Sequence, residues 1–96
     1  MLSTIPFELK NLKEEDLEKE ILRIGIIAEL DAINLYEQLA SLTKNKKLKE
    51  VFLDIAKEEK THVGEFLSFL NMLDIEGKEE LSKGEKEVKE MLKKNK

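Results

Sequence analysis

The stretch LKEVFLDIAKEEKTHVGEFLSFLNML, residues 48–73, decides the fold. Within it Leu48, Phe52, Ile55, Glu59, His62, Phe66, Phe69 and Leu73 recur at spacings of four and three, the seam that one helix presents to another. The spacing predicts a helix from about Lys46 to Asp74, with Asn45 as its cap and Ile-Glu-Gly77 as its stop. On the N-terminal side Leu22, Ile26, Glu29, Ile33, Tyr36 and Ala40 repeat the rhythm. The segment from Leu12 to Leu42 has no proline and only Gly25. It predicts a helix of roughly 30 residues, ~45 Å long, with Asn11 and Glu14 suited to a capping box. Thr43-Lys-Asn-Lys46 is the turn that folds the two into an antiparallel hairpin. Beyond Gly77 the composition shifts to Lys and Glu, and Ser82 with Glu85 predicts a capped short helix through Met91 and Leu92. The expected fold is all-α: a single domain over residues 1–96, a core hairpin over about 12–74 and a peripheral charged tail over 77–96.

Composition narrows the chemistry. The 96 residues carry 17 Lys plus Arg against 21 Asp plus Glu, a net charge of −4, with one His and no Cys. A mildly acidic chain with a single Arg is a poor match for nucleic acid or an anionic membrane surface. The apolar segment Ile21 to Leu42 is broken by Arg23, Glu29, Asp31 and Glu37, so it is not a bilayer span. The N-terminal MLSTIPFELK has no basic start, apolar run or small-residue cleavage site, and a cytoplasmic protein is expected. Without Cys there are no disulfides, thiolate zinc sites, iron–sulfur clusters or cysteine nucleophiles. Carboxylates and one imidazole remain.

Those groups stand in the seams. Folding the hairpin about residues 44 and 45 brings positions whose numbers sum to about 88 level with each other, which sets Glu29 opposite Glu59 and Ile26 opposite His62. Ile33 then faces Ile55, and Tyr36 faces Phe52. Burying ionised carboxylates costs several kcal/mol each, and neither seam holds a Lys or Arg to offset them. A divalent metal supplies the missing charge, and Glu59-Lys-Thr-His62 has the i, i+3 spacing that turns a carboxylate and an imidazole to one side of a helix. Glu29, Glu59 and His62 are therefore the candidate ligands. The bland alternative is an ordinary hairpin in which His62 is a core histidine and Glu59 bends outward with Glu58.

Tyr36 has two readings: a hydrogen bond to a ligand from outside the metal shell, or a core aromatic with its hydroxyl at the rim. Asp31 breaks the stripe Leu17, Ile21, Ile24, Ala28, Leu35 and Leu42. It is read either as a carboxylate that draws cations inward or as a surface or interface charge. Di-iron carboxylate bundles use four helices, a Glu from each of two and a Glu-x-x-His from each of the others. This chain supplies half of that set, so a two-fold dimer of hairpins is expected to complete a four-helix bundle around two metals. Apolar residues on nearly the whole circumference of Ile21–Leu42 call for a further interface, most simply in a closed ring of dimers.

The segment Glu20 to Asp74 resembles the encapsulated ferritin family through Ile26-Ile-Ala-Glu29-Leu-Asp-Ala-Ile-Asn-Leu-Tyr36-Glu and Ile55-Ala-Lys-Glu58-Glu59-Lys-Thr-His62-Val-Gly-Glu65-Phe. The resemblance implies that Glu29, Glu59 and His62 form a ferroxidase centre between two subunits, with Tyr36 beside it. It further implies that dimers assemble into an annular decamer, and that iron is mineralised inside an encapsulin nanocompartment. Two features depart from the family. Ala28 occupies the place where some members carry an acidic residue of an outer cation site, which leaves Asp31 alone, and the Lys-rich tail has no evident shell-targeting peptide.

The expected reaction is oxidation of Fe(II) to Fe(III) by dioxygen at a di-iron site, one iron per chain, with Zn or Mn as substitute ions. Only neutral imidazole ligates, so metal affinity is expected to fall as His62 protonates. A rubrerythrin-like peroxidase or oxidase is the second enzymatic reading, although the Cys-rich electron-transfer domain of such enzymes is not present. A non-enzymatic helical assembly module with a structural metal is the third.

Overall fold

A computed structural model describes residues 13–94 of the chain. Three helices follow one another: α1 over Glu14–Leu42, α2 over Lys46–Leu73 and α3 over Ile75–Lys94. α1 and α2 form the expected antiparallel hairpin, and all three helices are built from the segments that the pattern selects.

Each boundary has a chemical cause. Glu14, Glu15 and Asp16 place negative charge on the first turn of α1, where the exposed N–H groups concentrate positive potential. Lys13 is the N-cap residue and makes no side-chain cap bond, so α1 begins two residues later than Leu12; Asn11 of the expected capping box lies outside the described residues. At the turn, Thr43 Oγ1 accepts the Asn45 N–H at 3.1 Å. Asn45 Oδ1 in turn accepts the N–H groups of Lys47 and Leu48, both at 3.1 Å, as its assignment as a cap requires.

The far end differs from expectation. α2 ends at Leu73 with Asp74 as its C-cap, as expected, but α3 starts immediately, at Ile75, rather than at a cap on Ser82. Asp74 leaves helical geometry at φ −120°, ψ 82°, while its N–H still donates to the Leu70 carbonyl at 2.8 Å. Its Oδ1 accepts the Gly77 N–H at 3.0 Å. A capping carboxylate thus opens α3 at Asp74, and Gly77 leaves room for it, since a Cβ there would collide with Asp74 Oδ2; Ser82 and Gly84 are ordinary helical residues. The penalty for glycine in a helix interior, about 1 kcal/mol each, does not break a helix begun in this way. Asp74 Oδ2 also meets Arg23 Nη2 of α1 at 3.1 Å, with Glu20 3.5 Å from the same guanidinium. This pairing ties the start of α3 to both helices of the hairpin. Beyond its first turn α3 projects away, and the molecule measures 48 × 45 × 19 Å.

Among the described residues the core is small: Ile33, Ala40, Ala56 and Leu70. Tyr36 stacks on Phe52 with ring centroids 6.2 Å apart, which fixes the level pairing expected from the turn. The seam drifts farther along α2. Phe69 is 55% exposed and the buried position is its neighbour Leu70. A strict seven-residue repeat falls about 20° behind a straight α-helix in each heptad, and over three heptads that amounts to roughly half the angle between neighbouring residues. Gly25 has a local purpose, because a Cβ there would touch the Phe66 ring at 3.4 Å. The ring therefore lies against the α1 backbone, one turn beyond Glu29 and His62.

Asn45→Ala is expected to cost about 1 kcal/mol, measured as a lower thermal midpoint. Asp74 is held below its ordinary value of 3.8 chiefly by the Gly77 N–H, with Arg23 acting in the same direction against a smaller opposing effect of burial. A depressed carboxyl stabilises the folded form above its unfolded value and stops doing so as pH falls through its folded one. The Gly77 amide resonance is therefore expected to titrate with a midpoint below the 3.8 of an ordinary aspartate.

Candidate metal centre

Glu29 of α1 and Glu59 and His62 of α2 come together at mid-height of the hairpin. One ligand atom from each lies within 4.8 Å of the others, and no further His, Cys, Asp or Glu joins the group among the described residues. His62 Nδ1 stands 3.5 Å from Glu29 Oε2 and 3.6 Å from Glu59 Oε2. Those separations are too long for good hydrogen bonds. They suit donors around one ion, since donors each ~2.1 Å from a metal stand roughly 3–3.5 Å apart.

Burial sharpens the point. Both glutamate side chains are 19% exposed, against 45% for His62. Glu29 Oε2 is buried and has no hydrogen-bond partner. The nearby cations are engaged elsewhere: Lys60 pairs with Glu37 at 2.9 Å across the hairpin, and Arg23 with Glu20 and Asp74. A buried, unpartnered carboxylate oxygen facing a second carboxylate and an imidazole is a costly arrangement that a cation relieves. The residues present thus fit a hard divalent metal. Two carboxylates and one imidazole leave such an ion with open positions, and the half-exposed His62 faces the side from which further ligands can come.

The other sequence candidates fall outside the cluster. Tyr36 occupies the next layer toward the turn, stacked on Phe52. Asp31 is half-buried two residues beyond Glu29, about 200° around the helix axis from it, and does not belong to the group. The Glu37–Lys60 bridge, the Arg23–Asp74 bridge and the Gly25–Phe66 contact escape a seam analysis, because each joins positions whose numbers do not sum to 88. The one advance signal is that Gly25 is the only glycine in α1.

A helical hairpin that brings two carboxylates and an imidazole together on its inner face has the form of half a ferritin-like bundle. Family comparison gives the same class: the rubrerythrin family profile matches residues 20–96. The crystal structure of an encapsulated ferritin domain from Pyrococcus furiosus superposes with a TM-score of 0.74 at 47% identity, over 94% of this chain and 86% of that one. A ferritin-like–encapsulin shell fusion protein from the same organism is 50% identical over 93 residues, 95% of this chain. The Myxococcus xanthus encapsulin nanocompartment cargo protein EncB is 40% identical over 53 residues, 55% of this chain. The chain spans 27% of the length of the fusion protein and 34% of that of EncB. It belongs to the rubrerythrin family of ferritin-like proteins, and within it to the encapsulated ferritins. No helix among the described residues is long and apolar enough to cross a membrane.

Glu29→Gln removes charge that the apoprotein does not neutralise. The metal-free variant is expected to melt no lower than the wild type. Metal at a hundredfold its dissociation constant should stabilise the wild type by about 2.7 kcal/mol and the variant by almost nothing, as read from thermal midpoints with and without metal.

Proposed function

We propose that the protein is a ferroxidase whose di-iron site is completed by two copies of the chain. The observation that carries this reading is the buried, unpartnered Glu29 Oε2 between Glu59 and His62. Two Fe(II) ions are the substrate. Each gives up one electron, dioxygen is the acceptor, and the Fe(III) product leaves as mineral precursor. Glu29 and Glu59 supply four negative charges per dimer, which offset those of two divalent ions and favour the more highly charged Fe(III) state. His62 presents Nδ1 as a neutral donor. Phe66, beside Gly25, covers the site on the side toward the open end of the hairpin. Tyr36 and Phe52 close the layer toward the turn, and Tyr36 acts there as a positioning residue. Asp31, on the flank, contributes only negative potential that draws cations inward. Zn and Mn fit the same donors as competitors.

Among the described residues fifteen large apolar side chains are exposed, Ile27, Leu30, Leu35, Val51 and Leu53 included, against four buried residues. That imbalance supports homo-oligomerisation through the hairpin, with a four-helix bundle around the metals and a ring of dimers as the closed form. The names of the shell-fusion and cargo relatives support a place inside an encapsulin compartment in the cytoplasm, with storage of the oxidised iron there.

Anaerobic Fe(II) titration followed by air exposure tests the reading. Saturation near one iron per chain is expected, with rapid oxygen uptake that falls about a hundredfold or more in Glu59→Ala and His62→Ala. Binding without oxidation would leave a structural metal. Turnover of hydrogen peroxide with an added reductant in place of dioxygen would make the protein a peroxidase.

A further inference from the structure

We infer that Phe66 is a positioning residue for the metal centre: its ring, seated in the notch that Gly25 leaves in α1, holds the Glu29 carboxylate in place and keeps water from Oε2. The inference rests on the metal-binding part of the reading above and needs none of its oxidation chemistry.

The first observation is register. His62 Nδ1 stands 3.5 Å from Glu29 Oε2. Gly25 precedes Glu29 by four residues and Phe66 follows His62 by four. In an antiparallel hairpin these two pairs are successive layers, about 6 Å apart along the helices. In the layer nearer the open end the ring takes the place of an α1 side chain, because a Cβ at Gly25 would stand 3.4, 3.5 and 3.8 Å from Cε2, Cδ2 and Cζ of Phe66. The far edge of the ring, rather than its stem, is what meets α1. Glycine in a helix interior costs about 1 kcal/mol relative to alanine, and a seat for this ring is its return.

The second observation is direction. A side chain on an α-helix leans toward the N-terminus of that helix and covers the preceding turn. Phe66 on α2 therefore leans toward His62, and Glu29 on α1 leans toward Gly25. The two side chains reach into one space from opposite ends, and a side chain larger than hydrogen at position 25 would compete for it.

The third observation is the state of the carboxylate. The Glu29 side chain is 19% exposed, yet its Oε2 is buried without a hydrogen-bond partner from the protein. His62 is 45% exposed, so the imidazole side of the cluster is open and the cover over Oε2 comes from the flanking layers. Toward the turn that cover is the buried Ile33, one helical turn from Glu29. Toward the open end it is the Phe66 ring. An entering ion thus meets a carboxylate that is already aimed and has no water to shed. With a shorter side chain at position 66, water takes Oε2 and accompanies the ion as an extra ligand.

Co(II) titration of the metal-free full chain, followed by calorimetry and visible absorption, tests this. Phe66→Leu is expected to bind Co(II) about tenfold more weakly, with visible bands that lose intensity as water raises the coordination number. Gly25→Leu keeps the phenyl group and favours the helix but occupies the seat of the ring, and it is expected to show the same two changes. Leu70→Val trims the core beyond this layer; it should lower the thermal midpoint while affinity and spectrum stay at wild-type values. An unchanged affinity and spectrum in Phe66→Leu or in Gly25→Leu would overturn the inference. So would an equal change in Leu70→Val, which would make the ring a packing residue alone. A wild type that binds Co(II) and shows these differences but never oxidises Fe(II) would sink the ferroxidase reading and leave this one standing. A wild type that takes up no Co(II) would remove the metal centre and this inference with it.

Discussion

Two carboxylates held at mid-height of a thin apolar layer, with no basic side chain to meet them, are the constraint on which the rest of the structure depends. Glu29 and Glu59 repel each other across the hairpin, and one oxygen is buried without a partner. The hairpin tolerates this because the layers on either side hold its register: Tyr36 on Phe52 toward the turn, and the Phe66 ring on the Gly25 backbone toward the open end. A capped turn at Asn45 sets the level at which the two glutamates meet. The site is thus held by its neighbours rather than by its own contacts, as befits a place kept ready for a cation.

The hairpin and the meeting of Glu29, Glu59 and His62 were legible because both derive from local periodicity. Heptad spacing selects one face of each helix, the turn residues fix the pairing number, and a carboxylate in a seam is conspicuous by its cost. The misreadings lie where geometry accumulates or where capping groups compete. Phe69 and Leu70 exchange roles because a strict repeat drifts along a straight helix. The start of α3 was misplaced because Gly77 reads as a stop and Ser82 with Glu85 as a cap, whereas one aspartate side chain opened the helix earlier. Neither the Arg23–Asp74 pairing nor the sideways direction of α3 has a periodic signature. Both arise from contacts between residues 51 apart in sequence.

The acidic end of α1 and the basic end of α3 serve their own helices first. Acidic groups near a helix N-terminus and basic groups near a C-terminus both favour the helix dipole. The same placement gives the molecule oppositely charged extremities. Residue choice and helix electrostatics thereby agree, a form of agreement between levels that marks a well-specified sequence.

The smallness of the core has a kinetic side. With Ile33, Ala40, Ala56 and Leu70 as the only buried ones among the described residues, the hairpin encloses little apolar surface for its 29- and 28-residue helices. In the proposed assembly folding and encounter merge into one event, and dilution would act on this protein much as urea acts on a larger one. Newly made chains are safest where they are crowded with their own kind, and a copy that drifts away from the others is the one a protease finds open.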